Sequence, residues 1–323
     1  MPCRWWQRDA TFGGSYQPKD NIMSIIHHDE AFRDRAAMLA MRAMMGLSGS
    51  FSIEPGAREA YDQLISRTKI ADGIETYPGK VAGMPGWWVS PAGTHVEDGA
   101  ILYVHGGGYV LGSAEAYRGL ASQIAIRAGR PIFVIDYALA PENPFPAAYD
   151  DVSTAYAELA STTGGKVALM GDSAGGGAVL SVAMNRAEAI PAPVAIVVYS
   201  PWVDPALEGE SVEGLGDVDP ILNRQSLTDG ARQYLAGADP SDPRVNALKA
   251  NFAKLPPVRI DVGGDEILLD DSLRFEAVAG EAGRQVETHV WKGMVHVFPT
   301  NVAMLKASAH ALDGTAEFLK RQF

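Results

Sequence analysis

The sequence predicts an α/β protein, a mostly parallel sheet with helices on both faces. Three observations predict it. From Trp87 onward, short continuous apolar runs alternate with helix-length stretches, the pattern of buried parallel strands joined by crossover helices. One run, Val167-Ala168-Leu169-Met170, passes straight into Gly171-Asp172-Ser173-Ala174-Gly175 and then into a helical stretch. Another ends in His105-Gly106-Gly107-Gly108.

The elements follow in order. Phe32, Ala36, Leu39, Ala40 and Ala43 recur at three and four spacing and predict a helix over 29–46. Met38, Met41, Met44, Met45 and Leu47 make this helix Met-rich. Such a surface adapts to apolar ligands, but packing of a cap on the core is the expected role for most of these side chains. Pro55 and Gly56 open a second helix over 55–69. No strand is evident before residue 87, so 1–86 reads as a helical cap segment laid over a core. Strands are expected at 87–89, 101–104, 132–135, 167–170, 195–199, 258–262 and 286–291, and helices at 114–128, 146–160, 174–188, 270–282 and 301–321. Residues 204–251 interrupt the alternation. They are rich in Gly, Asp and Pro, with a helix expected at 224–235. A connection that long is usually functional, and it reads as a second cap segment. The core is then 87–203 and 252–323.

Composition narrows the function. The chain has 323 residues, 47% of them apolar, enough for a sizeable core. Its 39 acidic and 27 basic residues leave a net charge of −12, which disfavours nucleic acid and anionic membrane as partners. No apolar run approaches the ~18 residues of a membrane span. Cys3 is the single cysteine, so no internal disulfide forms, and a cytoplasmic location is expected. Residues 1–22 lack periodicity and the run of a signal peptide, so Met23 is a second candidate start.

The chemistry centres on Ser173. A serine on a tight strand–turn–helix elbow exposes its hydroxyl above the sheet edge, and glycines two before and two after let strand and helix approach. Such a serine needs a base and the base an orienting acid, in the chain order Ser, acid, His. Of the histidines after Ser173, His289 lies within an apparent strand and His310 within a helix, whereas His296 lies just past a strand and is the expected base. The acid belongs on the loop after 258–262. Asp265 is the expected residue, Glu266 its nearest rival and Asp270 the next. The tetrahedral oxyanion needs preorganised N–H donors, which Gly107, Gly108 and Ala174 are placed to supply. His105 reads as shaping that loop. Tyr109 and Trp202 are candidates to line the acyl or alcohol pocket.

His105-Gly106-Gly107-Gly108-Tyr109, Asp136-Tyr137-Ala138-Leu139-Ala140-Pro141-Glu142, Gly171-Asp172-Ser173-Ala174-Gly175-Gly176 and Gly293-Met294-Val295-His296 together resemble the hormone-sensitive-lipase family of α/β-hydrolases, whose bacterial members are the family IV esterases. The resemblance covers residue 87 to the C-terminus. It implies an α/β-hydrolase fold with an eight-stranded sheet and a helical cap, and a Ser173–His296–Asp265 triad. It also implies hydrolysis of short- to medium-chain acyl esters without metal or cofactor, and a homodimer formed through the last strand, 286–291. Residues 263–272 are similar to monoterpene ε-lactone hydrolases, which makes a lactone an alternative substrate, as is an aryl acylamide. The family often has Arg after Asp136-Tyr137, where this chain has Ala138; Glu142 and Asp150 are expected to tie the loops beneath the site. Plant gibberellin receptors resemble the family but lack the catalytic His, so His296 argues against a binding-only role.

Overall fold

The computed structural model describes residues 23–48 and 52–323. Among these, nine strands form one sheet: β1 (Met23–His28), β2 (Ile74–Val81), β3 (Met84–Pro91), β4 (Ala100–Val104), β5 (Ile132–Ile135), β6 (Val167–Asp172), β7 (Ile196–Tyr199), β8 (Val258–Gly263) and β9 (Val286–Trp291). Their order is β1-β9-β8-β7-β6-β4-β5-β3-β2. β3 pairs antiparallel with β2 and β5, and every other pairing is parallel.

The helices are α1 (Phe32–Ser48), α2 (Arg58–Ile65), α3 (Arg118–Ala128), α4 (Ala147–Thr162), α5 (Ser173–Asn185), α6 (Ser211–Gly214), α7 (Arg224–Leu235), α8 (Leu269–Glu281) and α9 (Lys306–Gln322). Alternate residues of each central strand feed two cores. Leu102, Val104, Leu169, Val198 and Ile260 pack with Val152, Val179 and Phe275 of α4, α5 and α8. Ile101, Tyr103, Met170, Val197 and Tyr199 pack with Leu120, Ile124, Leu312 and Phe318 of α3 and α9. Both faces are covered, which is why these strands read as unbroken apolar runs.

Four sequence expectations are corrected. The sheet has nine strands, not eight. Residues 1–86 are not purely a helical cap, because β1, β2 and the start of β3 lie within them. β1 pairs along all of β9, Met23 with Val286 through His28 with Trp291, so the last strand is not the free edge expected for a homodimer. Finally, α1 turns its expected core stripe outward. Phe32 and Leu39 are 86% and 64% exposed, while Met38 and Asp34 are buried. The Asp34 carboxylate accepts the amides of Lys306 and Ala307, each at 2.9 Å. It thereby caps α9 and fixes which face of α1 packs. Of the Met-rich set, Met38 is buried and Met44 is exposed. The side chains of Met45 and Leu47, and residues 1–22 with Cys3 and the transition at Met23, lie outside the described residues.

Candidate active site

β6 ends one residue before α5 begins, and Ser173 occupies the turn with φ +51°. A left-handed backbone is uncommon for a residue with a side chain and is retained where the surroundings enforce it. The surroundings here are close: a Cβ on Gly175 would lie 2.0 Å from the Val104 carbonyl oxygen, and one on Gly171 2.6 Å from the Gly175 backbone. The two flanking glycines are therefore required for α5 to sit against β4 and β6, as the motif predicts.

Asp172 precedes the serine and is buried. It accepts hydrogen bonds from the Tyr103 and Tyr117 hydroxyls at 2.9 and 3.0 Å and from the Gly106 amide at 3.0 Å. One carboxylate thus joins the elbow to the glycine loop. Burial pushes its pKa up to about 6, against the opposing pull of these three bonds.

His296 follows β9, and its Nδ1 lies 3.0 Å from Oε1 of Glu266. The other oxygen of Glu266 accepts the Gly263 amide and the Ser200 hydroxyl, both at 2.8 Å. Ser200 Oγ in turn accepts the Val297 amide at 3.0 Å. Burial alone would push the imidazole down, but the bond to Glu266 and the nearby carboxylates Asp219 and Asp172 outweigh it and hold the pKa above the ordinary histidine value.

The expected partner of His296 was Asp265, and the geometry corrects this. Asp265 points away to Arg42 of α1, Oδ2 to Nη2 at 2.8 Å, and its side chain is 33% exposed. Glu266 is fully buried. The inward donors, Gly263 N–H and Ser200 O–H, select the glutamate over its neighbour. Asp270, the third candidate, accepts the Ser211 amide at 2.8 Å instead.

Gly107 and Gly108 have φ of +111° and +63°, conformations suited to glycine. The Ala174 amide is in the first turn of α5, where no intrahelical acceptor exists. His105 is buried, donates from Nδ1 to the Gly106 carbonyl at 2.8 Å and stacks on Tyr137. It shapes the loop as expected. Tyr109 stacks on Tyr234 of α7 at 3.7 Å between ring centroids and lies 6.3 Å from Trp202. The Trp202 amide donates to the Ser173 carbonyl at 2.9 Å. Both aromatic residues are therefore brought to the elbow, and both are nearly buried.

Several residues escaped the sequence reading. Ser200 follows β7 at the same sheet edge as the elbow, a position that was the available signal. Arg58 of α2 donates to the carbonyls of Val110 and Ala140 and holds Glu142 with two bonds. It braces the loop that Ala138 leaves without an arginine. Asp151, rather than the expected Asp150, accepts the Ala138 amide at 2.8 Å. Among the described residues no group of three or more His, Cys, Asp or Glu is placed to hold a metal ion. None of their helices is long and apolar enough to cross a membrane.

Comparison with known proteins places the chain in a family. Residues 101–300 match the α/β-hydrolase fold family. An acetyl-hydrolase of Streptomyces hygroscopicus is 38% identical over 72% of this chain and 78% of its own length. An esterase of Acinetobacter venetianus is 30% identical over 86% of this chain and 93% of its own. The crystal structure of a hormone-sensitive lipase from a metagenome library superposes with a TM-score of 0.84 at 31% identity, covering 90% of this chain and 99% of that one. A crystal structure of an esterase from the bacterial hormone-sensitive-lipase family gives 0.83 at 34%, covering 91% and 99%. The chain belongs to the α/β-hydrolases and, within them, to the hormone-sensitive-lipase family. It is a carboxylic ester hydrolase.

Proposed function

We propose that this enzyme hydrolyses short- to medium-chain acyl esters, acetyl esters among them, through a Ser173–His296–Glu266 triad and an acyl-enzyme. The observation that carries the reading is the buried His296–Glu266 contact at 3.0 Å beside an elbow that holds Ser173 at positive φ. A carboxylate only accepts, so Nδ1 carries the proton and Nε2 is left as the base. His296 takes the Ser173 proton as Oγ attacks the ester carbonyl. The amides of Gly107, Gly108 and Ala174 receive the oxyanion. His296 protonates the leaving alkoxide, then activates water to release the acid. Residues 52–65 and 204–251 form the cap: Ile53 sits against Gly108 and Gly230, and Gln233 donates to the Ile53 carbonyl at 2.7 Å. Tyr109 and Trp202, packed near each other at the elbow, are the side chains assigned to the acyl or alcohol pocket. The relative named an acetyl-hydrolase supports the short acyl group.

Ser173→Ala should abolish turnover of p-nitrophenyl acetate and butyrate while the melting temperature stays near that of the parent. Fluorophosphonate should label the parent and not the variant. Undiminished turnover in the variant rejects the triad, and a panel of acyl esters and lactones ranks the substrates.

A further inference from the structure

Asp219 lies in the second cap segment, far in sequence from the triad, and is buried. Oδ1 accepts the amides of Ile221 and Leu222 at 2.8 and 3.0 Å. Oδ2 accepts the amide of Ile267 at 3.0 Å, the residue directly after Glu266. On the other side of Glu266, Asp265 is held by Arg42 at 2.8 Å, and the same guanidinium donates to the Val218 carbonyl. The acid loop is therefore gripped at both neighbours of Glu266, and both grips run through residues 218 and 219 of the cap. We propose that Asp219 is a positioning residue for the ester-hydrolase reaction, fixing the Glu266 loop to the cap and setting a further buried carboxylate against His296, beside Glu266 and Asp172.

The inference rests on the triad reading and adds to it. A single carboxylate would suffice to orient Nδ1. Burial raises the pKa of Asp219 above the ordinary carboxyl value, and His296 and the three amide bonds that hold it in place oppose that rise. As His296 takes the serine proton it becomes cationic, and a fixed carboxylate lowers the energy of that state without reorganisation. The charged groups acting on His296 are Glu266 from the loop after β8, Asp172 from the elbow, and Asp219 from the cap. His296 acts on Asp219, while the neighbouring Asp265 is lowered by Arg42 and Lys292 and raised by Asp219 itself. Of the three carboxylates, Asp219 is the one that the cap contributes.

Asp219→Asn removes the charge and keeps one acceptor oxygen, enough for the Ile221 and Leu222 amides or for that of Ile267 but not for both; Asp219→Ala removes the charge and both acceptors. For folded Asp219→Asn, kcat on p-nitrophenyl butyrate should fall about tenfold, the equivalent of one pKa unit at the base. KM should stay within about twofold, because no ground-state contact is lost. The acidic limb of kcat/KM should move to lower pH, since the imidazolium loses a stabilising charge. Asp219→Ala should lose more kcat, and its circular dichroism shows whether folding contributes. Parental kcat and an unchanged acidic limb in folded Asp219→Asn overturn the proposal, as does a rise in KM alone. Fluorophosphonate labelling of the parent at Ser173 separates these outcomes from a failure of the triad itself.

Discussion

At the scale of single residues, two adjacent carboxylates divide two tasks. Glu266 turns inward to His296, Gly263 and Ser200, and Asp265 turns outward to Arg42. Glu266→Gln keeps the shape but has one acceptor oxygen where the carboxylate uses two, and with that oxygen taken by Gly263 and Ser200 its NH2 faces Nδ1 and no longer fixes the imidazole tautomer, so kcat should drop by roughly three to four orders of magnitude. Asp265→Asn should cost no more than about tenfold, since it weakens only a partly exposed ion pair that does not touch His296. Steady-state kinetics on both variants decide between the acids; the reverse ranking restores Asp265. Ser173 and His296 were legible in the sequence because their motifs fix both residue type and strand context. The choice between Asp265 and Glu266 was not. It depends on a hydroxyl from residue 200 and on an amide at the end of β8, and neither leaves a mark in the loop's own sequence.

At the scale of elements, β1 is fastened to the sheet by more than its backbone. Nε2 of His28 lies 2.9 Å from Nδ1 of His289, and Arg259 lies 2.8 Å from Nε2 of His289. The guanidinium can only donate, so His289 accepts at Nε2, carries its proton on Nδ1 and donates to a neutral His28. His28 also stacks on Trp291 at 3.7 Å. Burial lowers both histidines, and the pKa of His289 falls to about 4. A depressed folded-state pKa means that this stability is fully present above the unfolded value of 6.5 and is lost as pH falls from there toward 4. The melting temperature should therefore drop by several degrees between pH 7.5 and 5, and less steeply in His289→Gln. An identical slope in that variant assigns the acid sensitivity elsewhere. β5, β9 and α7 match their predicted spans residue for residue, because their apolar runs or caps end at clear boundaries. β1 and β2 did not announce themselves. MSIIHH is short and ends in two histidines, and IETYPGKV carries Pro78 and Gly79 and pairs with a single neighbour.

At the scale of the whole molecule, the net charge of −12 loads the folded state with self-repulsion that grows with pH. Buried acids add to the same trend. Burial raises Asp271, which accepts the amides of Val203 and Asp204, to about 7, and Asp172 to about 6. A carboxyl raised above its unfolded value of 3.8 stabilises the fold at low pH, and that contribution is lost as pH climbs from 3.8 through 6 to 7. The histidine pair and these acids oppose each other, which places maximal stability in the mildly acidic to neutral range. Above neutrality added salt should raise the melting temperature by screening surface repulsion. Thermal melts at pH 8 in low and moderate sodium chloride test this, and a fall with salt contradicts it.

The pairing of β1 with β9 has a consequence for how the protein is made. A ribosome delivers β1 early and its one partner strand among the described residues near the end, after the core strands between them. Until β9 emerges, Ile25 and Ile26 belong to a strand with nothing to join. Completion of the sheet is thus deferred to the last stage of synthesis, and a chain cut short before β9 loses two strands where the sequence counts one.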